Sequence, residues 1–359
     1  MVALCEGGSR RRYDQAVSRR ALTLLLATVL AIGLAMAGVL APVPYVSLSP
    51  GPAYDTLGKT AGASVITIVG RPTFPTDGRL DLLTVSVADR ITLLQALRGW
   101  LSSREQVVPR EILFPADQSR AQVDQQNAQQ MRQSQDAATT AALTELGVPA
   151  TRTVVVSSVQ PGGTAAGRLQ AGDVLTTVDG TKVTSATDLR AAIGRHAPGQ
   201  AVTVGYLRSG KPGIVTIPTA RSTDPPVRPV IGIAPEDRSD FPVKVTISLR
   251  DVGGPSAGLM FALGIIDKLG KDSLTGGRTV AGTGEISNDG KVGPIGGVTE
   301  KLLAAKGAGA AAFLVPADNC GALKGDPNLK GITLIKVGTL KEALTGLRTL
   351  RDGGTPASC

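Results

Sequence analysis

The chain has 359 residues, enough for two or three domains, and its 42% hydrophobic content with only 3% aromatic residues calls for an aliphatic, alanine-rich core. The formal net charge of +9 comes with no aromatic-interleaved basic patch and no nucleic-acid motif, so it reads as surface balance plus a basic N-terminus and excludes a nucleic-acid partner. No Cys/His cluster has metal-ligand spacing, and neither a metal nor a cofactor is expected.

In chain order, residues 1–20 form a basic tail with Arg10, Arg11, Arg12, Arg19 and Arg20. Residues 21–41, ALTLLLATVLAIGLAMAGVLA, are uncharged and match the roughly 20 residues a bilayer span needs. The arginines before this run place the N-terminus in the cytoplasm and everything after Pro42 outside it, giving a single-pass protein of the cell membrane. A cleaved signal peptide, with Ala35-Met36-Ala37 as its processing motif, is the competing reading, although the run is long for a signal core. Of the three cysteines, Cys5 lies on the cytoplasmic side. Cys320 and Cys359 lie outside, where they either pair or stay as two free thiols.

Residues 42–146 open on a proline-punctuated lead-in. Gly58-Lys59-Thr60 imitates a phosphate-binding loop, but the glycine required five positions earlier is Ala53, so no nucleotide site is expected. Ala63–Val69 and Leu80–Val87 are rich in β-branched residues and read as two strands of a hairpin. Ile91–Leu101 predicts a short helix, and Gln118–Leu146, free of Gly and Pro until its end, predicts a long one. Residues 147–222 alternate strands with a short helix near Gly163–Leu169 and a longer one over Ala186–Ile193. A proline-rich linker, STDPPVRPV, leads into 228–350, where Asp240–Leu249 predicts a strand. Strand and helix signals recur at Ala311–Val315, Ile332–Val337 and Leu340–Leu347, and residues 351–359 form a polar tail.

Chemistry concentrates in DVGGPSAGLMFALGIIDKLG, Asp251–Gly270. Gly253 and Gly254 permit a tight turn, and Pro255 suits the first position of a helix. Ser256 would sit at that helix's N-terminus, beside free N–H groups and the positive end of the dipole. A hydroxyl there is what an acyl-transfer nucleophile and its oxyanion site require, although a plain helix cap is the commoner fate of such a serine. The base must come from elsewhere. The one histidine, His196, falls in the 147–222 module, where a surface or helix-end position suits it better. A lysine serves only if it is kept neutral. Lys301, one turn into a helix after Gly296-Gly297 and followed by Leu302, Leu303, Ala304 and Ala305, is placed for that by burial and by the helix start. Lys291 and Lys306 are its rivals.

Three ordered motifs carry a family resemblance: GPSAG at Gly254–Gly258, TGEI at Thr283–Ile286 and VGPIGGVTEKLLAA at Val292–Ala305. They resemble the proteolytic domain of the Lon family of serine proteases. The resemblance implies a Ser-Lys dyad of Ser256 and Lys301, with Thr283 orienting the lysine and Gly254 and Pro255 supporting the oxyanion turn. Gly253 departs from the acidic residue common there. The resemblance also implies peptide-bond hydrolysis and a hexameric homo-oligomer. The segment VQPGGTAAGRLQAGDVLTTVDGTKV resembles a PDZ domain of the protease-associated type, which implies peptide binding beside an edge strand, with a carboxylate-binding loop expected before Thr153. The expected architecture is an α/β (α+β) Lon-type proteolytic domain with an inserted, mainly-β PDZ domain, behind one N-terminal transmembrane helix. The expected function is an ATP-independent, membrane-anchored serine endopeptidase acting outside the cytoplasm on unfolded or membrane-associated proteins selected partly by the PDZ groove. The alternative is a non-catalytic PDZ adaptor on the same fold.

Overall fold

A computed structural model of the chain describes residues 8–249 and 252–359, with side chains from residue 21 onward. Cys5 and Asp251 lie outside the described residues, as do the side chains of the five N-terminal arginines. The helices, in chain order, are α1 (Gly8–Leu40), α2 (Leu93–Leu101), α3 (Arg120–Glu145), α4 (Ala186–Ile193), α5 (Gly258–Leu269), α6 (Val298–Gly307), α7 (Cys320–Leu323) and α8 (Leu340–Arg351). The chain divides into two compact units. The first comprises Met1–Ile66, Pro75–Ala138 and Ile247–Cys359; the second comprises Thr67–Phe74 and Thr139–Thr246.

The first unit is built on a six-stranded sheet. Its order is Thr333–Val337, Ala312–Pro316, Thr279–Gly282, Arg79–Ala88, Tyr45–Asp55 and Gln106–Pro109. The first four strands run parallel and the last two pair antiparallel. The Ala312–Pro316 strand is buried at all five positions, as a central parallel strand covered on both faces must be. Helix α5 is buried along nearly its whole length. Leu259, Met260, Phe261, Leu263 and Ile265 are fully enclosed, each stabilising the fold by about 1.5–3 kcal/mol through burial. Leu302 and Ala305 of α6 pack with Phe313 and Val315 of the adjacent strand. A disulfide joins Cys320 to Cys359, so of the two readings of these cysteines the paired one holds.

The second unit holds a sheet ordered Lys211–Pro218, Ala201–Arg208, Val174–Val178, Thr151–Val159 and Ile233–Asp240. Helix α4 covers it, with Leu189 and Ile193 in a core that also contains Val154, Val156, Leu175 and Ile217. Ser185 caps α4 by accepting from the Asp188 N–H.

Several expectations are corrected. The hairpin of Ala63–Val69 with Leu80–Val87 does not form. Arg79–Ala88 pairs with Tyr45–Asp55 and Thr279–Gly282, while Ile66–Val69 pairs with Lys244–Ile247. Gly163–Leu169 is a run of turns, because Gly162 and Gly167 adopt left-handed φ of 73° and 75°. The supposed linker forms a small ladder of Ala220–Arg221 with Pro229–Val230, and the strand expected over Asp240–Leu249 is divided between Ile233–Asp240 and Lys244–Ile247. Lys59-Thr60 pairs with Ala63-Ser64 in a tight hairpin, a geometry unlike a phosphate loop.

Candidate active site

Ser256 sits in a turn rather than on the helix. Its carbonyl accepts from the Gly284 N–H at 2.9 Å and from Thr283 Oγ1 at 3.1 Å. The α5 ladder therefore begins one residue later, with Phe261 N–H donating to the Ala257 carbonyl. Pro255 consequently lies outside the first helical turn. Gly254 adopts φ +85°, which the turn demands and only glycine supplies without strain. Two neighbours that the sequence reading did not single out hold this turn. The buried Ser134 on α3 donates its hydroxyl to the Pro255 carbonyl at 2.8 Å, and the Asn127 carbonyl accepts the Gly254 N–H at 3.1 Å. Both lie in the glutamine- and alanine-rich helix, whose composition announces a helix but not which serine faces the turn.

Lys301 is the fourth residue of α6, behind Gly297, whose φ is +66°. A Cβ on Gly297 would lie 2.7 Å from Val85 Cγ2, so the helix start is pressed against the Arg79–Ala88 strand. This geometry sends Lys301 inward, where it is only 3% exposed. Its Nζ lies 2.8 Å from Ser256 Oγ and 2.9 Å from Thr283 Oγ1. Burial pushes the ammonium pKa down from 10.5 to about 8, against the opposing pull of the Glu285 carboxylate. The Thr283 hydroxyl, itself buried, accepts from Lys301 Nζ and donates to the Ser256 carbonyl. The amine is thus pinned in reach of the serine oxygen from a second side.

The rival lysines lie elsewhere. Lys291 is exposed and paired with Asp289, and Lys306 Nζ donates to the Asn328 and Lys330 carbonyls. His196 sits in the second unit against Asp179. The oxyanion assignment changes in detail. Gly254 has given its N–H to Asn127 and Pro255 has none, so both shape the turn, and the amide beside the hydroxyl is that of Ser256 itself.

Ser256 and Lys301 open onto a cleft of about 610 Å³ whose wall includes Leu82–Val87 and Tyr54. Along that wall the Thr279–Gly282 strand pairs only as far as Leu82, whereas the opposite edge pairs as far as Ala88. Among the described residues, the strand from Leu83 onward therefore has no ladder partner on one edge, where it lines the cleft.

The second unit has a cleft of about 510 Å³ between α4 and the Ile233–Asp240 strand, with Leu189, Arg190, Ile193, Val230, Ile231 and Gly232 in its lining. That strand is the sheet's edge, and the Lys244–Ile247 strand follows it in sequence. Val230, Ile231 and Gly232 line this cleft where the chain enters the Ile233–Asp240 strand.

Comparison with known proteins finds two domain families along the chain. Residues 240–347 match the Lon protease C-terminal proteolytic domain, and residues 129–219 match the PDZ domain. Lon protease 2 of Bacillus subtilis is 39% identical over 117 residues, which is 32% of this chain and 20% of that protein. The Lon protease of Rickettsia bellii is 38% identical over 117 residues, 32% of this chain and 15% of that protein. The chain thus spans a fifth or less of the length of these relatives. Among solved structures, the PDZ domain of an SdrC-like protein from Listeria monocytogenes is 30% identical, with 23% of this chain and 85% of that one covered and a TM-score of 0.22.

Proposed function

We propose that this chain is a membrane-anchored serine endopeptidase that cuts peptide bonds with a Ser256–Lys301 dyad, without ATP. The observation that carries the reading is a buried amine, with its pKa pushed down to about 8, held 2.8 Å from a hydroxyl that opens onto a cleft. Neutral Lys301 takes the Ser256 proton as Oγ attacks the scissile carbonyl. The negative charge on the tetrahedral oxygen is met by the Ser256 N–H. The Lys301 ammonium returns the proton to the leaving amine as the C–N bond breaks. Lys301 then activates water, which hydrolyses the ester and regenerates the hydroxyl. Thr283 holds the amine on the line of transfer.

Substrates are extended chains, because the free edge from Leu83 offers main-chain pairing without a side-chain requirement. The α4 groove of the second unit takes a peptide as an added strand beside Ile233–Asp240, with apolar selection by Leu189 and Ile193. The uncharged α1 segment, Ala21–Leu40, is the anchor, and the Cys320–Cys359 disulfide fits an oxidising compartment beyond the membrane. A homo-oligomeric, hexameric ring is part of the same reading, and mass measurement of the detergent-solubilised chain tests it. For the activity itself, the full chain in detergent is incubated with casein beside Ser256→Ala and Lys301→Ala. Both variants are expected to be inert. Cleavage at the parent rate by either one refutes the dyad.

A further inference from the structure

Helix α2 has an apolar face that the described residues leave uncovered. Ala96 and Gly99 are buried, and a Cβ on Gly99 would lie 2.5 Å from Val107, so this side is pressed on the Gln106–Pro109 strand. On the other side Leu94 is 54% exposed, Leu97 45%, Trp100 52% and Leu101 90%. At helical spacing, positions 94, 97 and 101 line one stripe, and Trp100 borders it. A soluble surface seldom gathers three leucines and a tryptophan on one short helix without a partner.

The position of this helix says what that partner is. The Leu93 N–H donates to the carbonyl of Ala41, the residue immediately after α1, at 3.1 Å. Pro42 pairs with Thr92 and Val43 with Ile91. The start of α2 is thus fastened to the end of the apolar helix. With nine residues at about 1.5 Å each, all of α2 lies within roughly 15 Å of that point. The Ala21–Leu40 segment is 20 residues long, about what the hydrocarbon thickness requires, so its end falls at the membrane surface rather than deep inside. Tryptophan is favoured at that level, and Trp100 is steadied there by an edge-on contact with Tyr45 at 5.5 Å. Exposed Arg90, Arg98 and Arg104 flank the stripe with charges suited to anionic headgroups.

We propose that α2 is a second membrane contact, lying in the bilayer surface with Leu94, Leu97, Trp100 and Leu101 inserted. The proposal rests on the reading of Ala21–Leu40 as a span. It makes the first unit a domain held down at two points instead of one swinging on a tether. Together they fix the height and tilt of that unit above the lipid.

Trp100 is the chain's one tryptophan, so its fluorescence reports on this face without labelling. The full chain is reconstituted into vesicles containing anionic lipid and washed at alkaline pH. Emission is then compared in lipids brominated near the headgroup end and near the terminus of the acyl chains. Interfacial helices sit roughly 5–10 Å into the headgroup–acyl boundary, so shallow bromines should cut emission by about half or more and deep bromines much less. Leu97→Glu with Leu101→Glu should stay in the vesicles through the wash and lose that quenching. A washed chain whose Trp100 is unquenched at both depths overturns the proposal and leaves the anchor standing. So does protection from an aqueous quencher without quenching by lipid, which would mean that protein covers the stripe. Quenching that survives the double substitution also overturns it. A chain stripped off by the wash overturns the span and this proposal together.

Discussion

The lysine base gives the sharpest test, because its protonation can be changed without touching the protein. With the Lys301 pKa at about 8, about a tenth of the sites hold a neutral amine at pH 7 and about nine-tenths at pH 9. The rate of peptide hydrolysis, kcat/KM for a short fluorogenic substrate, should therefore rise about tenfold across that interval and level off above it. The Glu285 carboxylate works against burial, since a nearby negative charge favours the ammonium. Glu285→Gln removes it and should move the rising limb to lower pH, with a faster rate at pH 7. The assay is a paired pH series on parent and variant, with the amount of folded protein matched by circular dichroism. A profile flat from pH 6 to pH 9 would refute Lys301 as the base. A limb that moves to higher pH in Glu285→Gln would refute the electrostatic account of its pKa.

Other consequences are read by simpler means. Thr283→Val takes away the oxygen 2.9 Å from Lys301 Nζ and should lower kcat by about tenfold, as losing one buried hydrogen bond of about 1–1.5 kcal/mol in the transition state would, with KM little changed and Thr283→Ser restoring the rate. Gly297→Ala meets both a left-handed φ and Val85 Cγ2 at 2.7 Å, so it should destabilise by about 1–3 kcal/mol in thermal unfolding and weaken activity by displacing the start of α6. Cys359→Ser opens a loop of 39 residues, and chain entropy sets the loss at about 4 kcal/mol at most, seen as a lower denaturant midpoint that reducing agent does not lower further.

The parts that were legible in the sequence are those settled by neighbours along the chain. The Gly296-Gly297 turn, a helix directly after it and apolar residues on both sides were enough to place Lys301 inside. The same local logic placed α4 over Ala186–Ile193 and α8 from Leu340. What stayed illegible depends on distant pairing. Leu80–Val87 looked like the second half of a hairpin because a turn precedes it, yet its partners are Tyr45–Asp55 and a strand some 200 positions away in the chain. Ser256 missed the helix by two residues because Thr283 and Gly284 compete for its carbonyl, and nothing near position 256 encodes that.

The same burial that readies Lys301 for proton transfer costs the fold stability, and the sign follows from linkage. The native pKa of about 8 lies below the unfolded value near 10.5, so between those limits the unfolded chain binds the proton that the native site has released. Stability from this group is therefore gained as pH rises through that window, and below it the full penalty applies, about 3 kcal/mol for the roughly 2.5-unit depression. That sum is a sizeable part of the 5–15 kcal/mol on which a domain of ordinary stability stands. An amine kept in such a place by an idle scaffold would be readily replaced by methionine, which fills the same volume without a charge. Placed within reach of both Ser256 and Thr283, the lysine is more simply explained as a group whose burial penalises the ammonium and so supplies the neutral amine that works.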